Sequence, residues 1–281
     1  MADGDVDMAE TVWQGAFADM RARAHLPARP HDERQAERTR RRLRYFLRSD
    51  PSGSWVATSD DEVVGVIQAL RRGRLWILSL FGVSVPAQGR GVGRQLLDRA
   101  LDYAEAGGPG LILSSSDPRA MRRYVAAGFS LHPVVAAVGR VRRERLPPVE
   151  GIRAGSLADL GLTAQVDQHV RGAAREADVA HLLEDGAEML VLEESGYALV
   201  RGSQPVMLSA VDAPAARTLL AGTLAGGPSG QDVEVGWLNA GQQWAMDVVL
   251  SAGLDLRPSG AIMVRGRSAP PSPCIANGAF G

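Results

Sequence analysis

One succession of elements occurs twice along this chain, and that repeat restricts its architecture more than any other feature. In the first half, Ser54–Thr58 and Val63–Leu70 alternate apolar and polar residues around Ser-Asp-Asp-Glu, which reads as a hairpin. Leu75–Val85 reads as a long buried strand. An amphipathic helix follows over about 91–106, carrying Leu96, Leu97, Ala100, Leu101 and Ala104, and Gly107-Gly108-Pro109-Gly110 stops it. A short strand (Leu111–Ser114), a helix (Asp117–Ala127, closed by Gly128) and an extended stretch (Phe129–Val141) complete the set. The second half repeats the order with a hairpin over Met189–Glu193 and Tyr197–Arg201, then a strand over Val206–Val211. A helix over Pro214–Ala225, a strand over Val233–Leu238, a helix over Gln242–Ala252 and a strand over Ala261–Arg265 follow. Residues agree as well as order. Arg94-Gln95-Leu96-Leu97 matches Arg217-Thr218-Leu219-Leu220, and Ala120, Tyr124, Gly128 and Phe129 match Ala245, Val249, Gly253 and Leu254 at identical spacing. Alternating strands and helices predict an α/β fold, built twice.

The 281-residue length suits two domains. Two helices precede the first copy, one over about 9–25 with Val12, Ala16, Phe17 and Met20 at helical spacing, the other over Asp32–Arg48 and dense in arginine. The predicted organisation is a first domain over 1–141, a linker over 142–150 containing Pro147-Pro148, a second domain over 151–267, and a disordered tail over 268–281. Trp13, Trp55, Trp76, Trp237 and Trp244 lie in patterned elements and read mostly as core.

Charge and composition remove several functions. The chain holds 31 Lys+Arg against 32 Asp+Glu, which argues against a dedicated nucleic-acid binder. All of the basic residues are arginine. Without lysine there is no Walker-A lysine, no Schiff base and no Ser–Lys dyad. Cys274 is the single cysteine, so no intrachain disulfide or cysteine metal cluster forms, and its Pro-rich surroundings do not suit a reactive thiol. The histidines His25, His31, His132, His169 and His181 show no metal-ligand spacing and read as surface or helix residues; no metal site is expected. No apolar run is long enough for a membrane span, and the acidic N-terminal residues do not resemble a signal peptide, so the expected location is cytoplasmic.

The sharpest segment runs from a buried strand into a helix: Val83-Ser84-Val85-Pro86-Ala87-Gln88-Gly89-Arg90-Gly91-Val92-Gly93-Arg94. Glycines let the backbone approach a ligand, and successive amides at a helix N-terminus converge on an anion such as a pyrophosphate. A dinucleotide fingerprint fails because its third glycine falls on Arg94. A Walker A fails for want of lysine. The pattern Gln/Arg-x-x-Gly-x-Gly/Ala fits Gln88, Gly91 and Gly93.

That loop in this place resembles the acetyl-coenzyme-A loop of the GNAT N-acetyltransferase superfamily. The later Asp117-x-x-Ala120-x-x-x-Tyr124-x-x-x-Gly128-Phe129 is similar to its second signature. The resemblance covers about residues 9–141 and implies two tandem GNAT-like domains, each a twisted mixed β-sheet flanked by helices. It further implies that Phe81, Gly82, Val83 and Val85 lie on a strand splayed from Leu111–Ser114, with pantetheine pairing to its free edge. The amides of Gln88, Gly89, Arg90, Gly91, Val92, Gly93 and Arg94 would hold the pyrophosphate. A strand amide near 81–83 would polarise the thioester carbonyl, and Tyr124 would protonate the departing thiolate. Asp117 stands where the family usually has asparagine. A carboxylate is unfavourable beside phosphates, so Asp117 is expected to cap its helix.

The second copy has lost the chemistry. Its loop, Val211-Asp212-Ala213-Pro214-Ala215-Ala216, has no glycine, and Val249 replaces the tyrosine. It resembles the degenerate half of tandem bacterial members of the superfamily. The resemblance implies an acetyl-CoA-dependent N-acetyltransferase acting on a small-molecule or peptide amine, with neither nucleic acid nor membrane as partner and with a homodimer compatible. A coenzyme-A sensor with lapsed catalysis is the alternative, and a scaffold serving only oligomerisation a third, disfavoured by the intact loop. Candidates for the base that neutralises the amine are His25, His132, Asp19 and Glu62. The arginine-rich helix reads as a solvated face, with an acidic substrate or partner as the alternative.

Overall fold

A computed structural model describes residues 1–28, 30, 32–227 and 230–281; His31 lies outside the described residues. The chain divides into two compact units, Met1–Phe129 and Ser130–Phe280.

In the first unit, helices α1 (Val6–Arg23) and α2 (Glu33–Ser49) precede strands β1 (Ser54–Ser59), β2 (Glu62–Arg72) and β3 (Leu75–Val83). Helix α3 (Val92–Asp102), strand β4 (Gly110–Ser114) and helix α4 (Pro118–Ala126) follow. β1, β2 and β3 form an antiparallel meander, and β4 joins β3 in parallel. Val66 and Leu80 pack with Val6, Ala9 and Val12 of α1 and Leu43 of α2. A side chain at Gly65, one residue along β2, would instead strike Leu96 and Val92 of α3. Neighbouring residues point to opposite faces of a strand, so α1 and α2 cover one face and α3 the other. Burial on both faces explains why β2 and β3 read as near-continuous apolar runs.

Asp50 secures the end of α2. Its carboxylate is buried and accepts hydrogen bonds from the Arg71 amide (2.8 Å), Arg72 Nη1 (3.0 Å) and the Tyr103 hydroxyl (3.1 Å). Two arginines of α2, Arg40 and Arg44, stand in ion pairs. Arg40 pairs with Glu33 and with Glu37 (2.9 Å), and Arg44 lies 3.4 Å from Asp3.

The second unit holds strands β5 (Ser130–Arg140) and β6 (Ile152–Ala154), helices α5 (Leu160–Arg171) and α6 (Glu176–Glu184), and strands β7 (Glu188–Leu192), β8 (Gly196–Arg201) and β9 (Gln204–Ala210). Helix α7 (Ala213–Gly226), strand β10 (Asp232–Leu238), helix α8 (Gln243–Ser251) and strands β11 (Asp255–Arg265) and β12 (Cys274–Ile275) complete it. One sheet runs β12-β9-β8-β7-β6, and β5 pairs antiparallel with both β10 and β11. The core is rich in small residues from α7 and α8, including Ala215, Ala216, Ala221 and Ala245, filled out by Leu219, Leu220, Leu224 and Trp244.

The structure departs from the sequence reading in three segments. The 129–141 stretch does not close the first unit: β5 lies between β10 and β11, and Ala137 is wholly buried in the second unit's core. The 142–150 linker packs onto the same unit, through Leu146, Val149 and an Arg142 amide bond to the Ala252 carbonyl. The 268–281 segment is ordered rather than disordered: Cys274 and Ile275 pair with Ser209 and Leu208, and Phe280 is buried. Its proline-rich composition resembles a disordered tail, but burial of Cys274, Ile275, Ala279 and Phe280 offsets the ordering cost. Helices α5 and α6 and strand β6 fill the region before Met189, where the sequence pattern showed no element. Trp76 and Trp244 are core residues, whereas Trp55 is exposed.

A buried ionic cluster fixes the second unit. Arg175 Nε meets Asp167 Oδ2 at 2.9 Å, the Tyr197 hydroxyl donates to the same oxygen at 2.6 Å, and Ser209 Oγ donates to Oδ1 at 2.9 Å. Removing one partner of a buried pair leaves an uncompensated charge. Asp167→Ala is therefore expected to lower this unit's stability by about 3–5 kcal/mol, and adding Arg175→Met to recover much of the loss, as read by urea unfolding.

Candidate active site

The site begins with a break in a ladder. β3 and β4 pair only at Trp76–Gly110, Ile77–Leu111 and Leu78–Ile112. At that point Ser79 is an extra residue: Ala69 of β2 faces Leu78, while Gln68 faces Leu80. Such a bulge bends its strand, and beyond it β3 leaves β4. Leu80 through Val83 consequently pair with no strand on that edge among the described residues.

The chain then makes a short 3-10 turn (Val85–Ala87) and enters the glycine loop. Gly89 and Gly91 have φ of 77° and 87°, in the region where a Cβ is strained, and nothing lies within 4 Å of where one would stand. Their open side is therefore free for a ligand to approach. Gly91 is the N-cap of α3 and supplies no side-chain cap, and the amides from Gly89 to Gly93 make no turn or cap hydrogen bond among the described residues. Gly93 is needed for a different reason: a Cβ there would come within 2.8 Å of Arg123 Nη1. That guanidinium nitrogen is buried and has no hydrogen-bond partner.

A cavity of about 580 Å³ opens along this edge. Of the residues implicated by sequence, Phe81, Gly82, Val83, Gln88, Gly89, Gly91, Gly93, Arg94 and Tyr124 line it. Val85, Arg90 and Val92 do not. Val85 and Arg90 are exposed, and Val92 turns toward the sheet at Gly65. Gln88 is held at both ends of its amide: Nε2 donates to the Val83 carbonyl (3.0 Å) and Oε1 accepts from Arg119 Nη1 (2.8 Å).

Tyr124 is 5% exposed and packs against Phe81, ring centroids 6.5 Å apart. Burial pushes its phenol well above the ordinary range, which outweighs the opposing pull of Arg123, and the Asp117 charge adds to the rise. It therefore holds its proton at neutral pH. Asp117 caps α4, accepting from the Arg119 amide at 2.9 Å, with the Arg119 guanidinium on its other oxygen at 2.9 Å. Burial alone would raise this carboxyl, but the hydrogen bonds and charge of Arg119 hold it below the usual carboxylate range.

The cavity also recruits residues that the sequence did not single out. Trp13, Ala16, Phe17 and Met20 form a wall from α1, and Arg119, Arg122 and Arg123 join Arg94 from α4. The 13-16-17-20 spacing is that of an ordinary core face. The arginines gave a possible signal, since 119, 122 and 123 share a helix face leading to Tyr124. None of the candidate bases is in the cavity lining. Asp19 is paired with Arg23, His25 and Glu62 are exposed, and His132 lies on β5 in the second unit, 3.3 Å from Ser130 Oγ.

Residues 17–129, within the first unit, match the model of the acetyltransferase (GNAT) family. Among solved structures, a candidate acetyltransferase from Pyrococcus horikoshii is 19% identical at a TM-score of 0.72, covering 95% of this chain and 88% of its own. A GCN5-related N-acetyltransferase from Sphaerobacter thermophilus is 13% identical at 0.58, with 96% of each chain covered. A tandem GNAT protein from the clavulanic acid biosynthesis pathway is 16% identical at 0.55, covering 96% of this chain and 98% of its own. These likenesses establish the fold: two GNAT-like domains in tandem. No curated protein matches the sequence.

The lowered Asp117 carboxyl couples stability to pH. A depressed folded-state pKa contributes stability above the unfolded carboxyl value, near 3.8, that is lost as pH falls through the folded value. The stability difference between the native chain and Asp117→Asn should be constant above about pH 5 and shrink below about pH 4, measured by chemical unfolding across that range.

Proposed function

We propose that the first unit is an N-acetyltransferase that moves an acetyl or other small acyl group from acyl-coenzyme A to a primary amine by direct attack in a ternary complex. The observation that carries this reading is the edge of β3 at Leu80–Val83, which no described strand covers, followed through one 3-10 turn by a loop whose Gly89 and Gly91 are open to approach, with Tyr124 on the facing helix. The cosubstrate supplies the activated thioester. The free edge of β3 suits an extended pantetheine chain, which would add to the sheet as a strand does. The amides from Gly89 to Gly93 at the start of α3, with Arg94 and Arg123 beside them, suit a pyrophosphate. A β3 amide near Phe81–Val83 would polarise the carbonyl, and the protonated Tyr124 hydroxyl would give its proton to the departing sulfur. In the ternary complex the amine is the group that attacks the thioester, and no cysteine is among the described lining residues.

The second unit supports the idea of one site per chain. Helix α7 starts at Asp212, whose own carboxylate accepts from the Ala215 amide at 2.8 Å, where α3 starts at a bare glycine. A carboxylate already occupies the place a phosphate would need. Titration calorimetry with acetyl-coenzyme A should give one site per chain, and two equal sites would refute the degenerate second unit. Gly91→Glu should abolish that binding, because it fills the open side of the loop and adds a negative charge.

One observation favours a second reading, a coenzyme-A sensor with lapsed catalysis. Asp117 is the lone carboxylate among the described lining residues, it is tied to Arg119, and no histidine joins it. Tyr124→Phe separates the two. For an enzyme, turnover should fall ~10²–10⁴-fold with little change in coenzyme affinity. A panel of polyamines, aminoglycosides, amino acids and peptide N-termini, read by thiol release, tests the activity itself. Silence across it with tight binding retained would favour the sensor.

A further inference from the structure

The repeat makes the two units comparable piece by piece. In the first, the cavity lies between the free end of β3 and the turn entering α4, with Ser115, Asp117 and Arg119 on its wall. In the second, the counterparts are the end of β9 and the turn entering α8. The repeat relates Ala120 to Ala245, which places Gln242 opposite Asp117 and Trp244 opposite Arg119.

The space between those counterparts is filled by the chain itself. On one side, Cys274 and Ile275 pair antiparallel with Ser209 and Leu208. The Ala210 amide donates to the Pro273 carbonyl (3.3 Å), and Asn277 Nδ2 donates to the Val206 carbonyl (3.1 Å), extending the contact along β9. On the other side, Ser272 Oγ donates to the Gly241 carbonyl (2.7 Å), and Gln242 Nε2 donates to the Pro271 carbonyl (3.1 Å). Trp244 Nε1 holds Gln242 from behind at 2.6 Å. Trp237, in left-handed backbone (φ 61°) at a bulge of β10, brings its indole to 3.5 Å from where a Cβ on Gly278 would stand. Further along, Arg171 Nη2 donates to the Phe280 carbonyl (3.3 Å).

Among the described residues, β9 and β10 share no ladder. Where they approach, the side chain of Gln204 bridges them, its Oε1 accepting from the Glu234 amide (2.9 Å) and its Nε2 donating to the Glu234 carbonyl. The gap that would otherwise run between the two strands is closed at one end by that glutamine and at the other by residues 271–278.

We infer that residues 271–280 are an internal strand ligand of the second unit: they occupy, by backbone pairing, the groove equivalent to the first unit's cavity and keep that groove closed. This goes beyond the proposed activity and holds whether or not the first unit is catalytic. Bonding to both walls is what distinguishes a plug from a tail lying on a surface. Side-chain anchors at Ser272 and Asn277 set its register, and the buried Cys274 and Ile275 fill the interior.

Cys274 is the single cysteine, so its reaction with an aromatic disulfide reports opening of the plug in the full-length chain. Native protein should react at least ~100-fold more slowly than the urea-unfolded chain. Ser272→Ala with Asn277→Ala removes one anchor from each wall and should raise the rate by ~10-fold or more, with far-UV circular dichroism unchanged. In that variant, a synthetic peptide of residues 270–281 carrying serine for Cys274 should raise the rate further and saturably by taking the vacated groove, while a scrambled peptide should not. A native rate equal to the unfolded one, an unchanged rate in the double variant, or indifference to the peptide would each overturn the inference. If the double variant loses its dichroism, Ser272→Ala alone gives the same readout.

Discussion

The extra residue at Ser79 is the constraint on which the site depends. A strand held by its neighbours on both edges has no backbone groups to offer, and a fully paired β3 would bury its amides in the sheet. By placing one unmatched residue opposite the Gln68–Ala69 step, the chain turns β3 away from β4 after three paired positions. Everything that lines the cavity follows from that divergence. Phe81 meets Tyr124 across the opening, Gly82 allows α1 to approach closely enough for Trp13 to reach the wall, and the loop arrives at α3 with its amides outward.

Electrostatics then makes the opening selective. Four arginines line it against one carboxylate, and that carboxylate is satisfied by Arg119, which also holds Gln88. The arrangement favours a polyanion near the glycine loop. Lysine-free composition is no obstacle here, because backbone amides and planar guanidinium groups both bind phosphate oxygens directionally. Tyr124, buried and high in pKa, remains a donor in that cationic setting.

The second unit solves the same structural problem differently. Its α7 carries its own carboxylate cap, its tyrosine position is Val249, small side chains fill the core under α7 and α8, and a separate buried Asp167–Arg175 pair is held by Tyr197 and Ser209. Much of this was legible beforehand. The absence of glycine in 211–216 and the substitution of Tyr124 by Val249 are local facts, and period and punctuation located most of the strands and helices of both copies. The 268–281 segment was not legible, because Pro and Ser without periodicity give no local signal and the segment is ordered by an edge supplied from far along the chain. Likewise, the 13-16-17-20 face of α1 has the same spacing whether it meets a core or a cavity.

The sequence by itself determined the repeat, the glycine loop with its neighbouring tyrosine helix, and the family model that residues 17–129 match, because helix period, glycine placement and motif spacing are written within a few residues of one another. The tertiary structure alone decided which strand edges stay free, which arginines face the cavity, and that β5 pairs with β10 and β11 in the second unit. Strand pairing is a contest between edges distant in sequence, settled by register and burial, and no local pattern encodes its outcome.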